Sequence, residues 1–440
     1  MSELLTHSPV RETPALGISQ SLLPLLILGL SMCAGFTVFV SFGIMAESAK
    51  AEMGLSDEML GLIQGGSAAL PLLLFSVPVG ILVDRANRVR LVILSSMIWT
   101  AGTFLTAVAG SAGPLFVGRM LTGIGTTAAL TAALSLAADL CRPEQRGRGL
   151  LIVTLGKNFG QAAAFALPGL LLGIFAAQTG PRWFGDYNAW RSSQLVLGLL
   201  CVLCTLPLLW LREPERHETE AGPNVPFKTV FRELWSRRRF LLPLFIGQVT
   251  VVMADAAAGI WAAPVIERSY GLKPQQFATA LGASILVAGI FGAILGGVVA
   301  DWGQKTGRRG GLLIGAIIAA AVGVPAACFS IMPDATSNIV MVGVLTLAGT
   351  VTGLVTSVAL TVLLPNELRG LSIGAFIAIA GLIGFGMTPP LVARVSLWLG
   401  GEQHLGVALA IVGVTVSIVS VIGFALAMRH APVTATNRPV

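Results

Sequence analysis

Three ionisable residues of this 440-residue chain stand inside long apolar runs: Arg119, Lys157 and Asp255. A charge in the middle of a bilayer costs about 2.5–3.5 kcal/mol on insertion scales, so one that is kept there marks a route for an ion or polar solute. Lys157 is about eight residues into its run, roughly 12 Å at 1.5 Å per residue. Asp255 is about fourteen residues into its own, near the midplane by the same rise. Gln161 follows Lys157 by one helical turn and Gln248 precedes Asp255 by two, so each charge shares a helix face with an amide. Asp255 is the deep carboxylate and hence the candidate proton carrier, while two buried cations favour an organic anion as the solute. Bland roles are open beside these. Arg119 can satisfy carbonyls of a neighbouring helix, and Lys157 can snorkel to the surface. Thr122 and Thr126 lie on the Arg119 face, and Thr346, Thr350 and Ser357 recur at helical spacing; such hydroxyls either line a polar path or bond their own helix. Gln64, beside Gly65 and Gly66, is a further candidate for the path.

A second set of charges is duplicated. Gly80-Ile81-Leu82-Val83-Asp84-Arg85 ends one apolar run, with Arg88 and Arg90 beyond it, and Gly297-Val298-Val299-Ala300-Asp301 ends another, with Lys305, Arg308 and Arg309 beyond. The two are 217 residues apart, and each is preceded by a Gly-Leu pair, Gly54-Leu55 and Gly271-Leu272. Arg146-Gly147 and Arg369-Gly370 form a second repeated pair at an offset of 223 residues. Repeats this long, built of apolar spans, predict two homologous membrane halves.

The elements that position these residues follow from composition. The chain is 55% hydrophobic and 11% charged, with mean hydropathy +0.83, against about 25% charge in soluble domains. Runs of roughly 20 apolar residues suffice to cross a bilayer, and twelve occur, near 21–44, 58–83, 91–110, 114–138, 149–176, 193–211, 241–266, 276–300, 311–332, 338–364, 371–399 and 405–428. The expected fold is an all-α polytopic membrane protein of twelve transmembrane helices in two six-helix bundles. The expected division is a tail over 1–20, a bundle over 21–211, a linker with an amphipathic helix over 212–240, a second bundle over 241–428, and a tail over 429–440. Twenty of the 28 Lys and Arg fall in loops and tails on the side of both termini and six on the other. That bias places both termini in the cytoplasm of a multi-pass protein of the cell (inner) membrane. It also explains the pI near 9.6 without nucleic acid. Cys201 and Cys204, with no metal-ligating neighbours, are read as helix packing. Glu47, at the end of the first run, is read as a solvated outer residue.

At Gly80, Asp84, Arg85 and Arg88 the sequence resembles the major facilitator superfamily, whose signature is Gly-x-x-x-Asp-Arg-x-x-Arg after the second span; Asn87 stands where a second glycine is frequent. Arg119 with Gly123 and Gly125 is similar to the family's fourth-helix motif. Asn87-Arg88-Val89-Arg90, Gly54-Leu55-Ser56-Asp57, Pro143-Glu144-Gln145-Arg146-Gly147 and Trp190-Arg191 resemble its spinster-like group. Val38, Phe39 and Thr126 replace charged residues usual in that group, so its lipid substrates and coupling scheme do not transfer. The resemblance implies alternating access around a cavity lined by helices one, four, seven and ten. It also implies a cytoplasmic gate, in which Asp84 faces the start of the eleventh helix near Leu371 and the arginines reach Asp139. The residues assigned to that gate are Gly80, Asp84, Arg85, Arg88, Asp139, Arg146, Gly297, Asp301 and Arg308. Their plainer role is to anchor the chain by positive charge, and this is the reading for Arg90. Trp302 follows Asp301, so the second copy is expected to latch more weakly.

The expected function is a monomeric secondary transporter that moves a small organic solute, coupled to protons, in contact with membrane lipid and without metal or cofactor. The alternatives are an exporter of amphipathic drug-like or lipid-like compounds and a transporter-like sensor. No G-x-x-x-x-G-K-[ST] and no H-E-x-x-H occurs, and His7, His217, His404 and His430 all lie outside the apolar runs, which argues against an ATP-driven pump and an intramembrane enzyme.

Overall fold

An apolar run in lipid must satisfy its own backbone groups, and a helix does so within one segment. The computed structural model describes residues 18–142, 145–177, 184–214, 235–363 and 376–432. Among these, twelve helices are long and apolar enough to cross a membrane. The first six are α1 (Ile18–Met53), α2 (Asp57–Arg85), α3 (Arg88–Val108), α4 (Ala112–Leu140), α5 (Arg146–Ala176) and α6 (Ala189–Thr205). The second six are α7 (Arg238–Tyr270), α8 (Pro274–Lys305), α9 (Ile314–Ala326), α10 (Ala335–Leu363), α11 (Phe376–Trp398) and α12 (Leu405–Arg429). Short 3₁₀ turns extend α6 and flank α9, and α11 carries a π-helical stretch at Gly381–Met387.

The start of α1 and the end of α12 share one face, here the termini face; the α1–α2, α7–α8 and α11–α12 turns lie on the far face. The repeated Gly-Leu pair has one physical cause in both halves. Gly54 and Gly271 end α1 and α7 with φ of +63° and +65°, the left-handed conformation that glycine adopts without steric cost. Asn87, the departure from the family signature, caps α3 by accepting the Arg90 backbone N–H at 2.8 Å. Outside the spans, Asp334 takes a backbone N–H and a hydroxyl from Ser337, which hold its carboxyl below the usual carboxylate range.

Within each half, small residues let backbones touch. A Cβ on Gly102 of α3 would lie 2.5 Å from the Gly118 carbonyl of α4, and one on Gly423 of α12 would lie 2.7 Å from the Gly247 nitrogen of α7. Between the halves, α5 meets α8 at Gly169, Gly173 and Gly282, α2 meets α11 at Gly61, Gly65 and Gly381, and α1 nears α7 at Gly43. The glycine contacts between the halves all lie between the far face and the middle of the molecule. The linker helix expected within 227–240, the Arg369-Gly370 pair and the Leu371 region lie wholly or largely outside the described residues.

Candidate substrate cavity and its closures

Helix α5 packs on α1 through two glycines that flank Lys157. A Cβ on Gly156 would run into the Gly29 backbone, and one on Gly160 into that of Cys33. This close approach sets the Lys157 ammonium 5.6 Å from the centroid of the Phe36 ring on α1, within cation–π range. Lys157 is half-buried and has no hydrogen bond or ion pair among the described residues. Gln161, one turn on, is likewise half-buried, and its amide has no protein partner among them.

Arg119 is placed differently. Its guanidinium donates to the Val38 carbonyl of α1 at 3.0 Å and to that of Phe39, and stands 5.4 Å from the Phe42 ring. The side chain is 5% exposed, and its Nε has no partner among the described residues. Arg119 therefore fastens α4 to α1, one of the two roles open to it from sequence. Thr126 is buried and its hydroxyl bonds the Thr122 and Gly123 carbonyls of its own helix, so it serves backbone, not an open path. Gln64 is also buried, on the α1 side of α2; its Nε2 lacks a partner.

In the second half Asp255 projects from α7 onto α10, where a Cβ on Gly349 would come within 2.7 Å of its Cγ. Glycine there makes the room for the carboxylate. Asp255 is half-buried and has no hydrogen bond or ion pair among the described residues. Gln248, two turns away, accepts from the Thr356 hydroxyl of α10 at 2.9 Å. The α7–α10 seam thus holds both polar groups of α7, while Arg119 and Lys157 both gather on α1. Neither cation makes an ion pair with Asp255.

On the termini face the duplicated motif divides its residues. Arg88 is buried and ion-paired with Asp139 at the end of α4 and, at 2.8 Å, with Glu213 just after α6. Glu213 also accepts the Val89 backbone N–H at 2.9 Å. Asp84 and Arg85, the last residues of α2, are exposed, as are Asp301 and Arg308 in the other half. Among the described residues Gly80 and Gly297 face little: a Cβ on Gly80 would meet nothing within 4 Å and one on Gly297 only Leu354 at 3.9 Å. Arg146 opens α5 and is half-buried.

The far face carries a network that sequence reasoning missed. Lys50 reaches Asp57 and Glu402, both at 2.5 Å. Arg268 reaches Glu47 at 2.6 Å and Asp57 at 2.7 Å, and Arg394 reaches Glu58 at 3.1 Å. Asp57 is 1% exposed and opens α2, where the helix dipole also favours its charge. The pairs join α1 and α2 to α7, α11 and the α11–α12 turn, so they tie one half to the other. Glu47, expected to be solvated, is instead half-buried against Arg268 of the opposite half. Charges flanking an apolar run carry no partner label in sequence, which is why the network was not legible there.

The sequence model of the Major Facilitator Superfamily matches residues 27–385. The chain belongs to that superfamily. Among curated superfamily members, the chain is 25% identical to the sialic acid transporter NanX of Escherichia coli strain K12, over 89% of this chain and 90% of that one. It is also 25% identical to "Probable sulfoacetate transporter SauU" of Cupriavidus necator, over 63% of this chain; there it spans 64% of the relative's length, under two thirds. In fold it is similar to a bacterial homologue of the human lysosomal transporter Spinster, solved inward-facing and unoccupied. The TM-score is 0.77 at 23% identity, covering 93% of this chain and 96% of that one.

Proposed function

We propose that this chain is a secondary transporter carrying an organic anion by alternating access, with Lys157 as the anion's anchor and Asp255 as the proton carrier. The observation that carries this reading is Lys157 itself: a half-buried ammonium within the apolar α5 span with no anionic or carbonyl partner among the described residues. Such a charge is costly unless something pairs with it, and a solute anion does so in each cycle. Arg119, already held by α1 carbonyls, positions the cavity wall and leaves the anion to Lys157. Asp255 supplies the complementary charge in the other half. When protonated, it relieves the repulsion an incoming anion would meet.

The relatives named for sialic acid and sulfoacetate, both organic anions, agree with this class of solute. The basic excess on the termini face supports a cytoplasmic position for both termini in the cell (inner) membrane. With that orientation the far-face pairs close the outside and the arrangement is inward-facing. The residues Asp84, Arg85, Arg88 and Asp139, with Arg146, Asp301 and Arg308, then belong to the cytoplasmic closure that forms in the opposite state. A monomer suffices.

The test is uptake into proteoliposomes. Lys157→Ala is expected to weaken anion binding at least about tenfold, the 1.4 kcal/mol scale of one lost charge-assisted contact. Asp255→Asn is expected to abolish proton-driven accumulation while leaving exchange of labelled for unlabelled solute intact. Normal accumulation by Asp255→Asn would remove the proton assignment, and unchanged affinity in Lys157→Ala would remove the anchor.

A further inference from the structure

The groups around Lys157 also constrain the body of the anion, given the reading above, on which this inference rests. A solute in a closed cavity gives up its water, so each hydroxyl it carries needs a protein group in exchange. Few are free. The Thr37 hydroxyl bonds the Cys33 and Gly160 carbonyls, and the Ser41 hydroxyl bonds the Val38 carbonyl. Thr122 and Thr126 bond carbonyls of their own helix. Across the molecule the Gln248 Oε1 takes the Thr356 hydroxyl, and both terminal nitrogens of Arg119 are on α1.

What α1 presents beside the ammonium is aromatic. Phe36 lies under Lys157 at 5.6 Å. Phe39, half-buried, stands edge-to-face to Phe36 with ring centroids 6.2 Å apart. This geometry is the one aromatic rings favour, because a ring's positive edge meets another's negative face, and a third ring can extend it.

We infer that the site takes a monocarboxylate whose body is an aromatic ring or a flat apolar group of similar size. The carboxylate sits on the Lys157 Nζ and the ring lies against Phe36 and Phe39. A ring hydroxyl reaches the open amide of Gln161, one turn along α5. A polyhydroxylated sugar acid is disfavoured because its hydroxyls meet rings and engaged groups. A compact dianion is disfavoured because its second charge finds no second free cation among the described residues of this region.

The experiment uses the purified full-length protein, with binding read by thermal shift and confirmed by counterflow in proteoliposomes. The probes are benzoate, gluconate and benzamide: a ring with charge, a polyol with the same charge, and the ring without charge. Benzoate is expected to bind about tenfold more tightly than gluconate, the scale of one good aromatic contact. Phe36→Leu, or Phe39→Leu if the first does not fold, is expected to bring that ratio below about threefold while gluconate binding holds. Gluconate binding as well as benzoate overturns the ring assignment and leaves the anion reading standing. Benzamide binding as well as benzoate, or no binding of either acid, overturns the anion reading and this inference with it.

Discussion

Arg119 and Lys157 lie on neighbouring helices of one half and both touch α1, yet the chemistry around them differs. Arg119 presents a planar fork to two adjacent carbonyls, Val38 and Phe39, with its donors preset in that geometry, whereas an ammonium is a compact point charge on a flexible stem. Arg119→Lys is therefore expected to lower stability by about 2 kcal/mol, the worth of a charge-assisted hydrogen bond. The measurements are thermal unfolding in detergent and the KM for the solute. A lower Tm with KM unchanged within about twofold fits the fastening role, whereas a raised KM at unchanged Tm would move Arg119 into the binding site. Sequence alone located both cations and Asp255, because charge inside an apolar run stands out by type. It could not say which cation was free. That depends on whether a carbonyl of another helix is within reach, and the relevant contact spans residues 38 and 119, far apart in the chain. The aromatic strip was illegible for a related reason: Phe36 and Phe39 look like any other apolar residues until α5 is seen to bring Lys157 over them.

Elements bring these residues to their places through glycine. Gly156 and Gly160 draw α5 onto α1 on either side of Lys157, and Gly349 opens α10 to Asp255. Between the halves, Gly65 of α2 lies against the Phe385 carbonyl in the π-helical stretch of α11. A Cβ on Gly65 would collide with that carbonyl and also meet Pro389 at 3.1 Å. Gly65→Val is thus expected to wedge α2 from α11 on the far-face side. Cysteines placed in the outer halves of these helices should then label faster with a membrane-impermeant thiol reagent, while the protein still folds. Labelling unchanged from the parent would mean that α2 and α11 tolerate the added bulk without parting. Twelve apolar runs gave the helix count directly, but some ends differ. The first run was bounded near residue 44, and α1 continues to Met53. Charges such as Glu47 and Lys50 read as an exit from the membrane, yet the helix continues because they pair with the other half instead of with water.

At the scale of the whole molecule, the proposed alternating access requires that the far-face network come apart. Asp57 is its centre: it takes both Lys50 and Arg268, its backbone N–H donates to Glu402 at 2.7 Å, and it is buried. Exposed pairs at the rim, such as Arg394 with Glu58, contribute about 0–1 kcal/mol. Removing one partner of a buried pair costs about 3–5 kcal/mol, because the other charge is left uncompensated. With Arg268→Ala, Glu47 loses its cation and Asp57 keeps only Lys50 while the halves are closed on this face; once they part, both carboxylates reach water. The substitution therefore penalises one state and spares the other. Lys50 still serves Asp57 and the Arg268 side chain is 24% exposed, so the differential stability stays below that range; each step of about 1.4 kcal/mol shifts the ratio of the two states tenfold, enough to make the far-face-open state the major one if the closed state leads by less than the differential. Distances between spin labels on the far-face ends of α2 and α11 measure the populations directly. Arg268→Ala is expected to lengthen the dominant distance, Arg394→Ala to leave it in place, and Arg268→Lys, which keeps the charge but not the fork to two carboxylates, to fall between them. Equal distance distributions for all three would mean that the apolar contacts of α2 with α11 and α5 with α8 hold the face shut without the network.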